Sequence, residues 1–220
     1  MATTHPRLPV PMVAFALSML LCAMAASAQT APQAASRGTF GVVAGANFAK
    51  LAGSDVQDAK TRTGLVAGAY AEWQLAQGWS FQPEVLYSME GAKGSDEFGE
   101  STLKLDYIGL PVMLRFSSPT SSSVKPFIAL GPSFGYQLAC NIRASSGAFS
   151  VNSSCDDAAQ GSDFQRKKFD VSGRLEAGVD IATGGARLRV GGAYAHGFTD
   201  VINQSSIKNR VFSLFLGIGL

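Results

Sequence analysis

The sequence has few cysteines and histidines, and its charge is close to balanced. Of 220 residues, three are cysteine and two are histidine, and the formal net charge is +2. A chain this close to neutral gives no argument for a nucleic-acid partner. His196 is the one histidine beyond the N-terminal leader described below, so acid–base catalysis at neutral pH has few options.

Beyond residue 28, the sequence also lacks an apolar run of the length that spans a membrane as a helix. Such a helix needs about 20 consecutive apolar residues, so a helical membrane protein is excluded. Proline is scarce, with 9 residues, whereas glycine is abundant, with 24. These features leave an all-β exported chain, either soluble and lipocalin-like or a barrel in the outer membrane.

The N-terminus has the three parts of a cleavable secretion signal. Arg7 supplies the positive charge, an apolar stretch follows from Val10 to Met24, and Ala26-Ser27-Ala28 gives a small-residue cleavage site. The apolar stretch is too short to span a bilayer. We therefore predict a signal peptide over residues 1–28.

Cleavage there removes Cys22 and leaves Cys140 and Cys155 as the cysteines of the mature chain. An even pair in an exported protein favours a disulfide. Closing a loop of about 15 residues would stabilise the fold by about 3 kcal/mol in the chain-entropy model. Two free thiols are the alternative; a metal site is disfavoured because no histidine is close in sequence.

The last segment, Arg210 to Leu220, alternates with a period of two. One face is apolar (Phe212, Leu214, Leu216, Ile218 and Leu220), and the other is mostly small (Val211, Ser213, Phe215, Gly217 and Gly219). A soluble domain seldom ends on such a strand, because it leaves an adhesive open edge. The pattern is typical of the strand that closes a membrane barrel.

Seven earlier segments repeat this alternation. They lie near residues 39–50, 64–75, 79–90, 107–116, 125–138, 169–182 and 187–194. In the sixth, Leu175 shares the apolar face while Arg174 and Glu176 share the charged face. A basic residue at the bilayer midplane costs about 2–4 kcal/mol, so the charged face must point into the barrel.

The connections alternate between short and long, as in outer-membrane barrels with periplasmic turns and external loops. The long loops are predicted at residues 51–63, 91–101, 139–168 and 199–209. Together these features predict an all-β fold, an eight-stranded antiparallel up-and-down transmembrane β-barrel over 39–220, with a short periplasmic segment at 29–38. The predicted location is the outer membrane of a Gram-negative bacterium.

Charged residues fall on the inward face of several predicted strands. They are Glu72, Glu84, Arg115, Arg174, Glu176, Asp180, Arg187 and Arg189. An eight-stranded barrel is just wide enough for side chains to fill it, and unpaired charges inside it would cost several kcal/mol each. We predict a lumen charge network that keeps the barrel shut; a narrow ion path or small-ligand pocket is the alternative.

No catalytic residues, cofactor or metal site are predicted. His196 falls on the outward face with Tyr194, and no serine–carboxylate set accompanies it by spacing. The basic run Arg166-Lys167-Lys168 could bind lipopolysaccharide phosphates or be a solvated strand end. The acidic residues Asp156, Asp157 and Asp163 are explained by loop solubility.

Three segments resemble the PorT-like outer-membrane β-barrel family. They are Tyr107-Ile-Gly-Leu-Pro-Val-Met-Leu-Arg115, Lys125-Pro-Phe-Ile-Ala-Leu-Gly-Pro132 and Asn209-Arg-Val-Phe-Ser-Leu-Phe-Leu-Gly-Ile-Gly219. The resemblance implies an eight-stranded barrel, often without an assigned activity. Leu220 departs from the terminal aromatic that the assembly machinery often recognises in such barrels.

We therefore expect a non-enzymatic barrel with a structural or partner-docking role through its extracellular loops. The alternative is a small-ligand binding or narrow, porin-like transport barrel. The expected partners are outer-membrane lipid and lipopolysaccharide, the barrel assembly machinery during biogenesis, and a protein at the extracellular loops.

Overall fold

A computed structural model describes residues 38–52, 60–96, 99–120, 122–146, 149–155, 168–199 and 207–220. The predicted signal peptide and most of the predicted periplasmic segment lie outside these residues, as do Asp156, Asp157, Asp163, Arg166 and Lys167. In the described residues, no helix has the length and apolar character needed to cross a membrane.

The described chain forms nine β-strands in one sheet. They are β1 (Thr39–Ala52), β2 (Lys60–Ala76), β3 (Trp79–Asp96), β4 (Gly99–Ser117), β5 (Val124–Ser146), β6 (Phe149–Ser154), β7 (Phe169–Thr183), β8 (Ala186–Gly197) and β9 (Lys208–Gly219). Every pairing between these strands is antiparallel.

Eight of the strands close a ring, and the predicted eight-stranded barrel is confirmed. Sequential neighbours pair around the ring, β4 pairs with β5, β5 with β7, and β1 with β9. The β1–β9 register runs from Gly41↔Gly219 to Ala52↔Lys208. At its end, Leu220 N donates to Phe40 O at 2.8 Å. The last strand therefore closes the barrel, as its sequence pattern predicts.

Alternation of faces explains why these segments form strands. Large apolar side chains point outward and are exposed, including Leu65 at 63%, Leu216 at 59% and Leu130 at 58%. Their sequence neighbours point inward and are buried, as Arg115 and Gln82 are, both at 0%. Such an exposed apolar surface is stable only against lipid.

The short turns lie at one end of the ring. Gly78 (φ 79°) turns β2 into β3, and Gly184 (φ 59°) turns β7 into β8, conformations that favour glycine. Rings surround the first turn: Trp73 packs on Phe81 at 6.2 Å between centroids, and Trp79 on Phe116 at 5.1 Å. This is the aromatic girdle expected at the periplasmic interface.

At the opposite end of the ring, two of the loop predictions are wrong, because these segments form paired strands. Strands β3 and β4 continue as a paired hairpin to Asp96↔Gly99, within the predicted 91–101 loop. Strand β5 runs to Ser146 and pairs with a ninth strand, β6, within the predicted 139–168 loop. Strand β6 is the additional strand: it lies beside the outer part of β5 and is not a member of the ring.

The pattern inverts in these outer hairpins, which is why the loop predictions failed. Above the membrane, inward side chains such as Leu105 (1% exposed) and Ala92 (7%) are apolar, while outward positions such as Lys104 are polar. They form a small apolar cluster inside the outer end of the barrel, the outer cap: Leu51, Ala92, Leu105, Tyr107, Cys140, Cys155 and Ile207.

Candidate functional site

The eight charged residues predicted to face the lumen come from β2, β3, β4, β7 and β8, which face each other across the ring. Four are arginines (Arg115, Arg174, Arg187 and Arg189) and four are carboxylates (Glu72, Glu84, Glu176 and Asp180). Their formal charges cancel. Because the lumen is narrow, strands far apart in sequence bring these groups into contact.

Asp180 lies between two arginines. Its Oδ2 accepts from Arg115 Nη2, and its Oδ1 accepts from Arg189 Nε at 3.1 Å. The Arg115 and Arg189 side chains are 0% and 1% exposed. Charge-assisted hydrogen bonds of this kind are the strong ones, and they compensate the desolvation of both guanidinium groups.

Glu72 is the second acceptor in this group. Its Oε2 accepts from Arg189 Nη2 at 3.1 Å and from Arg187 Nη1 at 3.0 Å, while Ser80 Oγ donates to its Oε1 at 3.0 Å. Arg115 Nη1 lies 3.7 Å from the same Oε2. Three arginines and two carboxylates therefore share the periplasmic half of the lumen.

Gln82 joins this group to the next one. Its Oε1 accepts from Arg115 Nη1 and Arg189 Nη1, both at 3.0 Å, and its Nε2 donates to Glu84 Oε1 at 2.6 Å. On the outer side of Gln82, Arg174 Nε donates to Glu176 Oε1 at 2.8 Å. The excess positive charge below Gln82 is thus balanced by the excess negative charge above it.

Aromatic rings fill the space around the guanidinium groups. The Arg115 guanidinium carbon lies 3.8 Å from the centroid of the Phe127 ring, and that of Arg189 lies 4.1 Å from the Tyr70 ring. Such contacts contribute about 0.5–2 kcal/mol each. Tyr70 fits because β1 carries Gly41 beside it, where an added Cβ would lie 2.4 Å from the ring.

A second polar group lies closer to the outer end. Asn47 Nδ2 donates to Ser88 Oγ at 2.7 Å, and Ser213 Oγ donates to Asn47 Oδ1 at 2.7 Å. Ser88 Oγ in turn donates to Glu90 Oε1 at 2.6 Å, and Asn209 Nδ2 donates to Glu90 Oε2. These bonds tie β1, β3 and β9 together from inside.

Two cavities flank the lumen charge network. One of about 50 Å³ lies on the outer side and is bordered by Glu90, Asp170, Arg174 and Asn209. The other, of about 360 Å³, opens toward the short turns and reaches Glu72, Asp180 and Arg187. Between them, the buried network fills the cross-section.

The disulfide lies at the outer cap. Cys140 in β5 bonds to Cys155, which follows β6, with a Cα–Cα distance of 5.4 Å. It closes the β5–β6 hairpin, whose strands already pair from Asn141↔Ser154 to Ser146↔Phe149. The covalent link therefore fastens a paired arm to the cap, rather than restraining a loop without structure.

Several inward residues were missed at the sequence level. Arg62, whose Nη1 donates to Glu90 O, lies in a predicted loop, while Asn47, Ser213 and Asn209 are small polar residues without charge. Alternation places Asn47 and Ser213 inward by parity, whereas Asn209, like Arg62, lies in a predicted loop; the bonds of all four depend on the ring register.

His196 lies on the outward face. Its ring centroid is 6.4 Å from that of Tyr194 and 6.0 Å from that of Phe198. It belongs to a row of aromatic side chains on the lipid-facing surface, away from the lumen carboxylates.

The sequence matches the family model described as outer membrane protein beta-barrel domain over residues 27–203. The chain therefore belongs to this family of outer-membrane β-barrel proteins. Its location is the outer membrane of a Gram-negative bacterium, where the outward face contacts lipid. No curated protein matches the sequence.

The chain is similar to three solved outer-membrane protein structures, and the first of them shows the same fold. OprG from Pseudomonas aeruginosa is 14% identical, with 83% of this chain and 94% of that chain covered and a TM-score of 0.50. Neisserial surface protein A is 18% identical, covering 82% and 96%, at 0.48. Ail, the attachment invasion locus protein of Yersinia pestis, is 11% identical, covering 83% and 99%, at 0.44.

Proposed function

We propose that this protein is a closed outer-membrane barrel that acts through its extracellular surface, by docking a partner or supporting the envelope. The observation that carries the proposal is the buried network around Arg115, Arg189 and Asp180, which fills the lumen. A path for solutes would require these ion pairs to separate. Their separation leaves desolvated charges, at several kcal/mol each.

Conductance across planar bilayers tests the closed lumen. We expect the refolded mature protein to give no steady large openings, with OprG and a general porin measured alongside as reference barrels. Sustained openings of defined size in the unmodified protein would contradict a packed lumen. They would favour the second candidate, a narrow transport or small-ligand barrel, for which the two flanking cavities are the supporting observation.

The surface we propose for docking is the extracellular arm, which is the outer part of β5 from Cys140 together with β6 and Cys155. Phe149 is 83% exposed and Val151 is 66% exposed on β6, and aromatic and aliphatic side chains of this kind anchor protein interfaces. A photo-crosslinker at Phe149 should give protein adducts on intact cells. The same group at Lys125, an exposed residue near the short turns, is the matched control. Adducts from Lys125 alone would contradict docking through the arm.

We propose no enzymatic role. His196 packs among outward aromatic rings, and hydrolysis would require a nucleophile and carboxylate within hydrogen-bond reach of it. Hydrolysis of a phospholipid or lipid A substrate that disappears in His196→Ala would contradict this.

We also propose a closer family placement and a partner during biogenesis. The order of the three segments that resemble PorT-like barrels supports placement near that branch of the family. The apolar outward row of β9, with Phe212 near its start, supports recognition by the barrel assembly machinery despite the terminal Leu220.

A further inference from the structure

The outward face of β8, β9 and β1 changes character over a single step at the long-loop end. Going up β9 and β1, the apolar row ends with Phe212 and Phe48, which are 45% and 36% exposed. On β8 the corresponding residue is Tyr194, which is 43% exposed, and the exposed Phe198 follows His196 just beyond the end of the strand. Two residues beyond Tyr194, Phe212 and Phe48 along the outward face stand His196, Arg210 and Lys50. We call these six residues the seam patch.

The pairing register sets the three polar residues side by side. Arg210 is the direct cross-strand partner of His196 on one side and of Lys50 on the other. Directly opposed residues have Cβ atoms about 4.5–5.5 Å apart. The aromatic residues below are aligned in the same way, with Phe212 opposite both Tyr194 and Phe48.

This arrangement is unfavourable for the protein alone. Like charges directly opposite each other across a strand pair are destabilising, and Arg210 and Lys50 have no acidic partner in the described part of the chain. Lys208 adds another cation one outward position above Arg210, opposite Ala52. An anion between these side chains would convert the repulsion into attraction.

The height of the patch identifies where that anion lies. At about 3.4 Å per residue and a strand tilt of about 40°, the segment from Leu220 up to Arg210 rises roughly 25 Å along the membrane normal. The apolar band of such barrels is about 25 Å tall. The cations therefore stand at the outer boundary of the hydrocarbon, and the aromatic row just beneath them lies against acyl chains.

We propose that the seam patch is a binding site for the phosphate groups of a phosphorylated glycolipid in the outer leaflet. Arg210 binds a phosphate through paired N–H donors, and Lys50 and Lys208 supply further charge. Phe212, Phe48 and Tyr194 contact the acyl chains attached to the same headgroup. A free phosphate would use the cations but would have no use for the aromatic row, so the structure favours the lipid.

On the other side of the barrel, Lys60 and Lys93 also stand directly opposite each other, but no aromatic row adjoins them in the described strands. On β3, the outward Lys93 is separated from Tyr87 by Met89 and Gly91; on β4, Asp106 stands between Ile108 and Lys104. Lys93 and Lys104 therefore provide a matched control, since they are outward cations near the same end without an adjoining aromatic row.

The test uses the full mature barrel in detergent micelles, with lipid adducts quantified by native mass spectrometry. The probes are diphosphoryl lipid A, the same lipid after enzymatic dephosphorylation, and inorganic phosphate as a competitor. We expect Lys50→Gln/Arg210→Gln to weaken diphosphoryl lipid A binding about tenfold or more, since the variant loses the charge-assisted hydrogen bonds to the phosphate. Lys93→Gln/Lys104→Gln should bind as the unmodified protein does.

Arg210→Lys, which keeps the charge, should retain part of the binding and separates a local effect from misfolding; an unchanged gel shift on heating shows that each variant is folded. Equal binding by the seam and control variants would overturn the proposal. So would equal binding of the dephosphorylated lipid by the unmodified protein. Displacement of the lipid by inorganic phosphate at matched phosphorus concentration would show a free-phosphate site and overturn the lipid assignment.

Discussion

At the scale of single residues, the stability of the lumen depends on buried ion pairs, because removing one partner leaves the other buried without a compensating charge. Arg115 is fully buried, and its guanidinium contacts Asp180, Gln82, Glu72 and Phe127. Its removal would leave acceptors desolvated and without their donor. Arg187, by contrast, has a side chain that is 36% exposed at the cavity that opens toward the short turns, where water can replace its contacts.

We therefore predict that Arg115→Met lowers the free energy of unfolding by about 3–5 kcal/mol, the cost typical of one broken buried pair. Arg187→Met, the matched control, should cost about 1 kcal/mol or less, as exposed ion pairs do. Urea titrations in lipid vesicles, followed by the fluorescence of Trp73 and Trp79, measure both. A loss of about 1 kcal/mol or less from Arg115→Met would show that water reaches the centre of the lumen.

At the scale of strands, the sequence predicts faces better than it predicts ends. Leu175 and Arg174 take opposite sides of β7 because a period of two admits no mixture of the two sets. The assumption that the apolar face points outward failed above the membrane. There Leu103 and Leu105 point inward and the polar residues point outward. That assumption requires lipid on the outside of every strand, and water takes that place above the headgroups.

The bonds of the lumen could be predicted only in part. Parity put Glu72, Arg115 and Arg189 inside, but the hydrogen bonds to Gln82 depend on which strands face each other across the closed ring. That arrangement follows from register and closure, which a single sequence does not specify. For the same reason, the hydrogen bond between Asn47 and Ser213 could not be predicted from either strand alone.

Strand β9 offers a direct test of its lipid-facing side. Leu216→Arg places a cation near the middle of the apolar band, where the cost is about 2–4 kcal/mol; the same change at Leu220, at the periplasmic edge, should cost about 0–1 kcal/mol. Unfolding titrations of the two variants in vesicles provide the comparison. A large loss at Leu220 together with none at Leu216 would place the membrane elsewhere on the barrel.

The β5–β6 arm should behave as a separate element. Cys140→Ser/Cys155→Ser removes a cross-link worth about 3 kcal/mol for a loop of this length, yet the ring strands keep all their pairings. We expect faster proteolysis at residues 141–155 on vesicles, with the gel shift of the folded barrel unchanged. Chemical reduction of the unmodified protein is the parallel experiment. Loss of the gel shift would mean that the arm is needed for the barrel itself.

At the scale of the whole molecule, two kinds of side-chain packing close the lumen of the barrel. Ion pairs fill the membrane-embedded part, where the wall is surrounded by lipid, and an apolar cap fills the part that stands in water. Within the membrane the interior of the barrel is polar and its exterior apolar, and above the membrane the interior is apolar and the exterior polar. A closed conformation therefore does not depend on a single constriction.

Removing the central arginines should consequently open the lumen only partly. We predict that Arg115→Ala/Arg189→Ala gives small, flickering conductance in planar bilayers, because the outer cap still narrows the exit. Combining this change with the two cysteine-to-serine substitutions should lengthen the openings. Large steady openings from the arginine variant alone would show that the cap does not restrict the path.

The outer cap has a consequence for how the cell surface is seen. Its hairpins share an apolar interior and a covalent cross-link, so the residues they present to the outside hold fixed positions relative to one another. Antibodies raised against the intact protein should therefore recognise shapes assembled from distant stretches of sequence. Such sera would stain living bacteria strongly and react poorly with the boiled, reduced polypeptide on a blot.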